Sequence, residues 1–139
     1  MNTDRLTKAD TQLPPAVTPF GPDVPAVQTG NLLFLSGMLP TVGHEPNSSA
    51  PHTPAALNVL AVARQHLGSL DKVSRVVILG VYVATADEQV DLVKVADAAS
   101  ELLRDILGKD KMSARLVFGV ESLPFGTPVE VEAILAVSA

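Results

Sequence analysis

Val73-Ser74-Arg75-Val76-Val77-Ile78-Leu79-Gly80-Val81-Tyr82-Val83-Ala84 is a β-branched run that, beyond Arg75, is apolar at both odd and even positions. Successive strand side chains point to opposite faces of a sheet, so a run apolar on both faces needs cover on both. It reads as a central strand rather than an edge.

On its N-terminal side, Thr53 as N-cap, Pro54 at the first helical position and Gly68 as stop frame a helix. Its body from Ala55 to Leu67 is apolar on nearly every side until Arg64, which predicts cover on more than one face. Residues 41–53 are polar and turn-rich and read as a loop. Before them, Thr29-Gly30-Asn31 separates Ala26-Val27-Gln28 from Leu32-Leu33-Phe34-Leu35, the pattern of a hairpin ending at Ser36 to Pro40. Residues 1–25 hold Pro14, Pro15, Pro19, Pro22 and Pro25 and read as an extended arm ahead of a single domain over 26–139.

On the C-terminal side, Thr85-Ala86-Asp87-Glu88 has capping-box spacing and predicts the start of a second helix. Leu92, Val95, Ala96, Ala99, Leu102, Leu103 and Ile106 give that helix one apolar stripe, closed by Gly108. Ala114 to Val120 and Val129 to Val137 read as two further strands. Strands, helix, strand, helix and two strands make an α+β two-layer sandwich: a mixed β-sheet with two helices on one face. The central strand and Val129, Val131, Ala133, Leu135 and Val137 supply apolar groups for both faces, yet the helices cover one. At about 25 cal/mol per Å² of apolar area, a bare face would forfeit much of a small domain's stability, so a second subunit is the expected cover. Mean hydropathy of +0.30 in 139 residues argues the same way.

Composition narrows the chemistry. No cysteine means no disulfide, thiolate nucleophile or thiolate-bound zinc. A net charge of −5, pI near 5.0, opposes nucleic-acid binding. No stretch approaches the roughly 20 apolar residues of a membrane span. Met1 to Arg5 lead into no apolar run, so a cytoplasmic location is the expectation. His44, His52 and His66 lack metal-ligand spacing, and no metal is expected. Ser36 has no nucleophile elbow, there is no glycine-rich phosphate loop, and Tyr82 and the four Phe are too sparse for base stacking.

Arg115 opens an otherwise apolar strand and shares its face with Val117 and Gly119, the latter leaving space beside it. A guanidinium fork there suits a ligand carboxylate held at two points. The competing reading pairs Arg115 with a carboxylate such as Glu130 or Glu132. Glu130 and Glu132 share a face of the last strand, either as a proton-handling pair or as a solvated polar edge.

Gly30 to Pro40, Ala56-Leu57-Asn58-Val59-Leu60 and the terminal Ser113-Ala114-Arg115 through Val129-Glu130-Val131-Glu132-Ala133-Ile134 together resemble the reactive-intermediate deaminase family, also called the endoribonuclease L-PSP or YjgF-type family. The likeness extends over most of the chain. It implies a chorismate-mutase-like fold, a homotrimer whose sheets close a central barrel, and ligand clefts between subunits. It implies hydrolysis of small carboxylate-bearing enamines or imines to 2-oxo acids and ammonia, without a cofactor. By the match, Arg115 binds the substrate carboxylate, Glu130 positions the water, and Gly37 contributes its backbone. Asp23, Met38 and Val117 stand where many members carry Tyr, Gln and Cys. These departures keep open a second class of function: a non-catalytic trimer that binds small carboxylates as a sensor or stabilises a partner.

Overall fold

The computed structural model describes residues 13–16, 24–42, 45–46, 53–85 and 91–138. In chain order they form β1 (Ala26–Thr29), β2 (Leu32–Met38), a short pair β3 (Thr41–Val42) and β4 (Glu45–Pro46), α1 (Thr53–Leu67), β5 (Val73–Ala84), α2 (Leu92–Leu107), β6 (Ala114–Val120) and β7 (Val129–Val137). The main sheet runs β1-β2-β7-β5-β6, so β5 lies between two neighbours as its two-faced apolarity requires. β5 and β6 are parallel, joined through α2, and every other pair in this sheet is antiparallel. The sheet is therefore mixed, and the fold is α+β.

The hairpin forms where expected, with Thr29 opposite Leu32 and Gly30 at φ 58° in the two-residue turn. Glycine tolerates that left-handed backbone at no steric cost. β2 then bulges against β7 between Leu35 and Met38, at Ser36 and Gly37. Two contacts fix this bulge: Ser36 Oγ donates to the Val24 carbonyl at 2.7 Å, and Ser36 N–H to the Pro25 carbonyl at 2.9 Å. Just beyond, the buried Asn58 of α1 donates to the Leu39 carbonyl at 2.8 Å.

Leu33, Leu35, Leu79, Val81, Val129, Val131 and Leu135 point into one layer of core against both helices. From α1 come Ala56, Val59, Leu60 and Ala63; from α2 come Val95, Ala96, Ala99, Leu103 and Ile106, the stripe expected from its spacing. Leu13 and Ala16 of the arm also pack against this core, which explains why α1 is apolar on more than one side. Part of the proline-rich segment is thus cover, not linker.

Two expectations need correction. α2 begins at Leu92, capped by Asp91, whose side chain accepts from Lys94 N–H at 3.1 Å. Thr85 does not cap it: its N–H and hydroxyl both bond the Val120 carbonyl, at 2.8 and 3.3 Å, joining the ends of β5 and β6. Nor does β7 serve both faces with its valines. Val129, Val131, Ala133, Leu135 and Val137 all turn to the helices, while Glu130, Glu132 and Ile134 take the other face. The apolar groups left uncovered there come chiefly from other strands: Phe34, Leu116 and Phe118 are 39, 44 and 48% exposed.

Candidate functional site

β6 is the edge strand beside α2, and its alternation sends Arg115 and Val117 to the helix side. On α2, Asp97, Ser100, Glu101 and Arg104 recur at helical steps along the polar border of the buried stripe, so they line one face. Arg115 Nη1 donates to Asp97 Oδ1 at 2.9 Å and to Ser100 Oγ at 3.1 Å. These four α2 residues, with Met112, Ser113 and Arg115, border an open cavity of about 410 Å³. The Arg115 side chain is 27% exposed and that of Asp97 50%, so the pair stands at the cavity's wet wall.

The carboxylate that Arg115 meets is therefore Asp97. Glu130 and Glu132, the partners its strand position first suggests, lie on the opposite face of the sheet. Gly119 does not open space beside Arg115 either. A Cβ there would stand 3.3 Å from Thr85 side-chain atoms and 3.5 Å from Leu92 Cδ1; the room lies at the other end of the strand, by Met112 and Ser113.

On the uncovered face Glu130 and Glu132 lie across glycines of the flanking strands. A Cβ on Gly37 would collide with Glu130 Oε2 and stand 2.8 Å from its Cδ; one on Gly80 would lie 2.9 Å from Glu132 Cγ. Only glycine lets each carboxylate lie flat against the neighbouring backbone. Tyr82, paired in register with Glu130, donates its hydroxyl to Glu132 Oε1 at 2.5 Å, and its ring stacks on Phe118 at 5.9 Å. Burial, and then the Glu132 charge, push the Glu130 carboxyl above the usual carboxylate range. The Tyr82 phenol is raised too, chiefly by its hydrogen bond to Glu132, then by burial and the two carboxylates. A carboxyl that can give and take a proton is one of the groups that general acid–base chemistry uses.

The residues singled out in the sequence thus fall into two groups. Arg115 and Val117 sit together under α2, and Gly37 and Glu130 sit together on the open face. Within one protomer the two groups are separated by the sheet. Met38 pairs with Val131 and is 3% exposed in the core, so its side chain reaches neither group. Asp23, His44 and His52 lie outside the described residues. His66, near the end of α1, shares a 2.9 Å hydrogen bond with Gln28 Oε1. Asp97, Ser100 and Tyr82 were not singled out by sequence reasoning. The helical spacing from Asp97 to Arg104 was visible, but the neighbour of that stripe depends on strand order. Among the described residues no group of three or more His, Asp or Glu is arranged to hold a metal ion, and no helix is long and apolar enough to cross a membrane.

Residues 13–137 match the family described as endoribonuclease L-PSP. The chain is 33% identical to Protein TCP17 of Trypanosoma cruzi, over 94% of this chain and 90% of that one. A solved structure from Agrobacterium tumefaciens, of a protein of unknown function, is similar at a TM-score of 0.82 and 31% identity, covering 97% of this chain and 92% of the other. The YjgF gene product of E. coli is similar at a TM-score of 0.65 and 26% identity, over 89% and 94% of the two chains.

Proposed function

The chain belongs to the endoribonuclease L-PSP family, and from that premise we propose that it is an enamine or imine deaminase releasing a 2-oxo acid and ammonia from a small carboxylate-bearing intermediate. The observation that carries this reading is Arg115, a guanidinium held at the wall of an open cavity with its Nε and Nη2 edge unbonded among the described residues. That edge fits a carboxylate at two points.

The chemistry asked of the protein is modest. Water adds to the imine carbon while the C=N electron pair moves to nitrogen and takes one of the water's protons, and the second proton then passes from the new hydroxyl to the amine. The C–N bond then breaks, giving the carbonyl and ammonia. Holding the substrate and relaying these two protons suffice, and no cofactor is called for. Glu130, raised above the ordinary carboxylate range, suits the proton transfer, and Gly37 keeps its carboxylate in place.

Because Arg115 and Glu130 lie on opposite faces of one sheet, this reading includes a homotrimer. Three copies would bury the Phe34, Leu116 and Phe118 face in a central barrel. Each cleft would combine Arg115 and Val117 of one subunit with Gly37 and Glu130 of the next. The same separation favours a second reading, a carboxylate-binding module without catalysis, if the copies do not assemble this way. A nuclease is disfavoured by the net charge of −5, and a cytoplasmic setting suits the reaction.

The test is release of ammonia and 2-oxo acid from imines generated enzymatically in situ, with wild type, Arg115→Lys and Glu130→Gln compared. Acceleration by wild type and loss in both variants is expected. Carboxylate binding without any acceleration would leave the binding module instead.

A further inference from the structure

Arg115 meets its neighbours through one nitrogen. Nη1 carries two N–H groups, and its two acceptors, Asp97 Oδ1 and Ser100 Oγ, come from successive turns of one helix. Nε and Nη2 donate to nothing among the described residues. A guanidinium is a rigid planar fork, so fixing Nη1 at two points fixes the direction in which the remaining edge faces. That wall of the cavity also carries charge: Asp97 uses one oxygen on Arg115, and further along the same lining the Glu101 and Arg104 charges offset each other.

We propose that Asp97 and Ser100 are positioning residues that aim the Nε–Nη2 edge of Arg115 at the ligand, and that the Asp97 charge makes this site select monocarboxylates over dicarboxylates. This rests on the carboxylate-site reading above. A ligand with one carboxylate takes the free edge of the fork. A second carboxylate of the same ligand, held beside the fork, meets the Asp97 charge, and like charges there disfavour it. A donor such as an iminium or amine hydrogen finds acceptors there instead.

Two measurements on Asp97→Ala and Asp97→Asn separate positioning from selectivity. The first is the Arg115 Nε–H line in a nitrogen-labelled protein, which reports how firmly the fork is held whether or not a ligand binds. The second is calorimetric affinity for pyruvate and for 2-oxoglutarate. Asp97→Ala should broaden the Nε–H line and weaken pyruvate about tenfold, the scale of one charge-assisted hydrogen bond. Asp97→Asn keeps an acceptor oxygen without the charge. It should restore the line and the pyruvate affinity, and improve 2-oxoglutarate relative to pyruvate about threefold, as expected for a partly exposed charge.

An unchanged Nε–H line and unchanged pyruvate affinity in Asp97→Ala would make the contact an ordinary surface ion pair and overturn the proposal. An unchanged ratio of the two ligands in Asp97→Asn would overturn the selectivity. If wild type binds neither acid while the line still depends on Asp97, the carboxylate-site reading fails and only the positioning of the fork survives.

Discussion

The two faces of the sheet treat charge in opposite ways. On the helix side, at the β6 edge, one cation is met by a carboxylate and a hydroxyl beside an open cavity, and both partners keep contact with water. On the other face two carboxylates and a phenol lie close together, ringed by Phe34, Leu116, Phe118 and Ile134, and no cation is in hydrogen-bond contact with them among the described residues. The second arrangement raises a carboxyl and a phenol. A strand's alternation can thus divide one set of candidate residues between two environments. Chemistry needing both must bring a second copy to the first.

The most drastic way to break the comparison is to charge the uncovered face. Phe118→Glu puts a carboxylate into an apolar contact already facing Glu132 and Tyr82, and desolvating it on assembly would cost several kcal/mol. Light scattering should then fall from about three times the 14.5 kDa protomer mass to the protomer mass. Activity should fall with it, because the two halves of the cleft no longer meet. A wild type that is monomeric at micromolar concentration would refute this picture.

Next in size is the cation itself. Arg115→Lys keeps the charge and loses the planar two-point contact, so carboxylate affinity should fall by one to two decades, about 1.5–3 kcal/mol. Half-exposed Asp97 remains solvated without its partner, so the thermal midpoint should stay within a few degrees. A variant that unfolds would mark Arg115 as structural.

Much of this was legible in the sequence, and the reasons differ by element. β5 and α2 announce themselves because one is apolar at every alternation and the other carries a stripe at steps of three and four. The start of α2 was misread because Thr85 and Glu88 have capping-box spacing, whereas the Thr85 hydroxyl bonds across to Val120 and Asp91 supplies the cap. Arg115 was visible as a lone charge in an apolar strand. Its partner was not, since nothing local says that β6 lies at an edge beneath the polar border of α2. The same holds for Gly37: its need for glycine comes from a Glu on a strand more than ninety residues away.

That close approach gives the third test. Gly37→Ala places a methyl where Glu130 Oε2 now lies, with Cδ at 2.8 Å. The obstructing atoms are the end of a flexible side chain, so the fold should survive with a loss of about 1–3 kcal/mol. The turnover rate should fall about tenfold or more while carboxylate affinity at Arg115 changes little, because the carboxylate displaced belongs to proton transfer. Equal losses in both would mean that the substitution distorts the whole cleft.

The smallest expected effect isolates the raised carboxyl. Burial, then the Glu132 charge, lift Glu130 above its ordinary value of 4.5. Between the ordinary and the lifted value the folded chain holds a proton that the unfolded chain has released. Stability therefore falls as pH rises through that window. Below it the carboxyl is neutral in both states and the stabilising contribution is complete; above the lifted value it is charged in both and the contribution is gone. Glu130→Gln removes the titration and keeps the shape over Gly37. Thermal midpoints of variant and wild type should coincide on the acid side, and the variant should become the more stable as pH rises to neutrality. Separation begins at the ordinary value in either assembly; closing a second copy over this face would bury Glu130 further and carry the divergence to higher pH, so the same curves measured in Phe118→Glu should level off at lower pH. A constant offset between variant and wild type at every pH would mean that Glu130 titrates as a solvated residue and that the two faces differ less than their geometry implies.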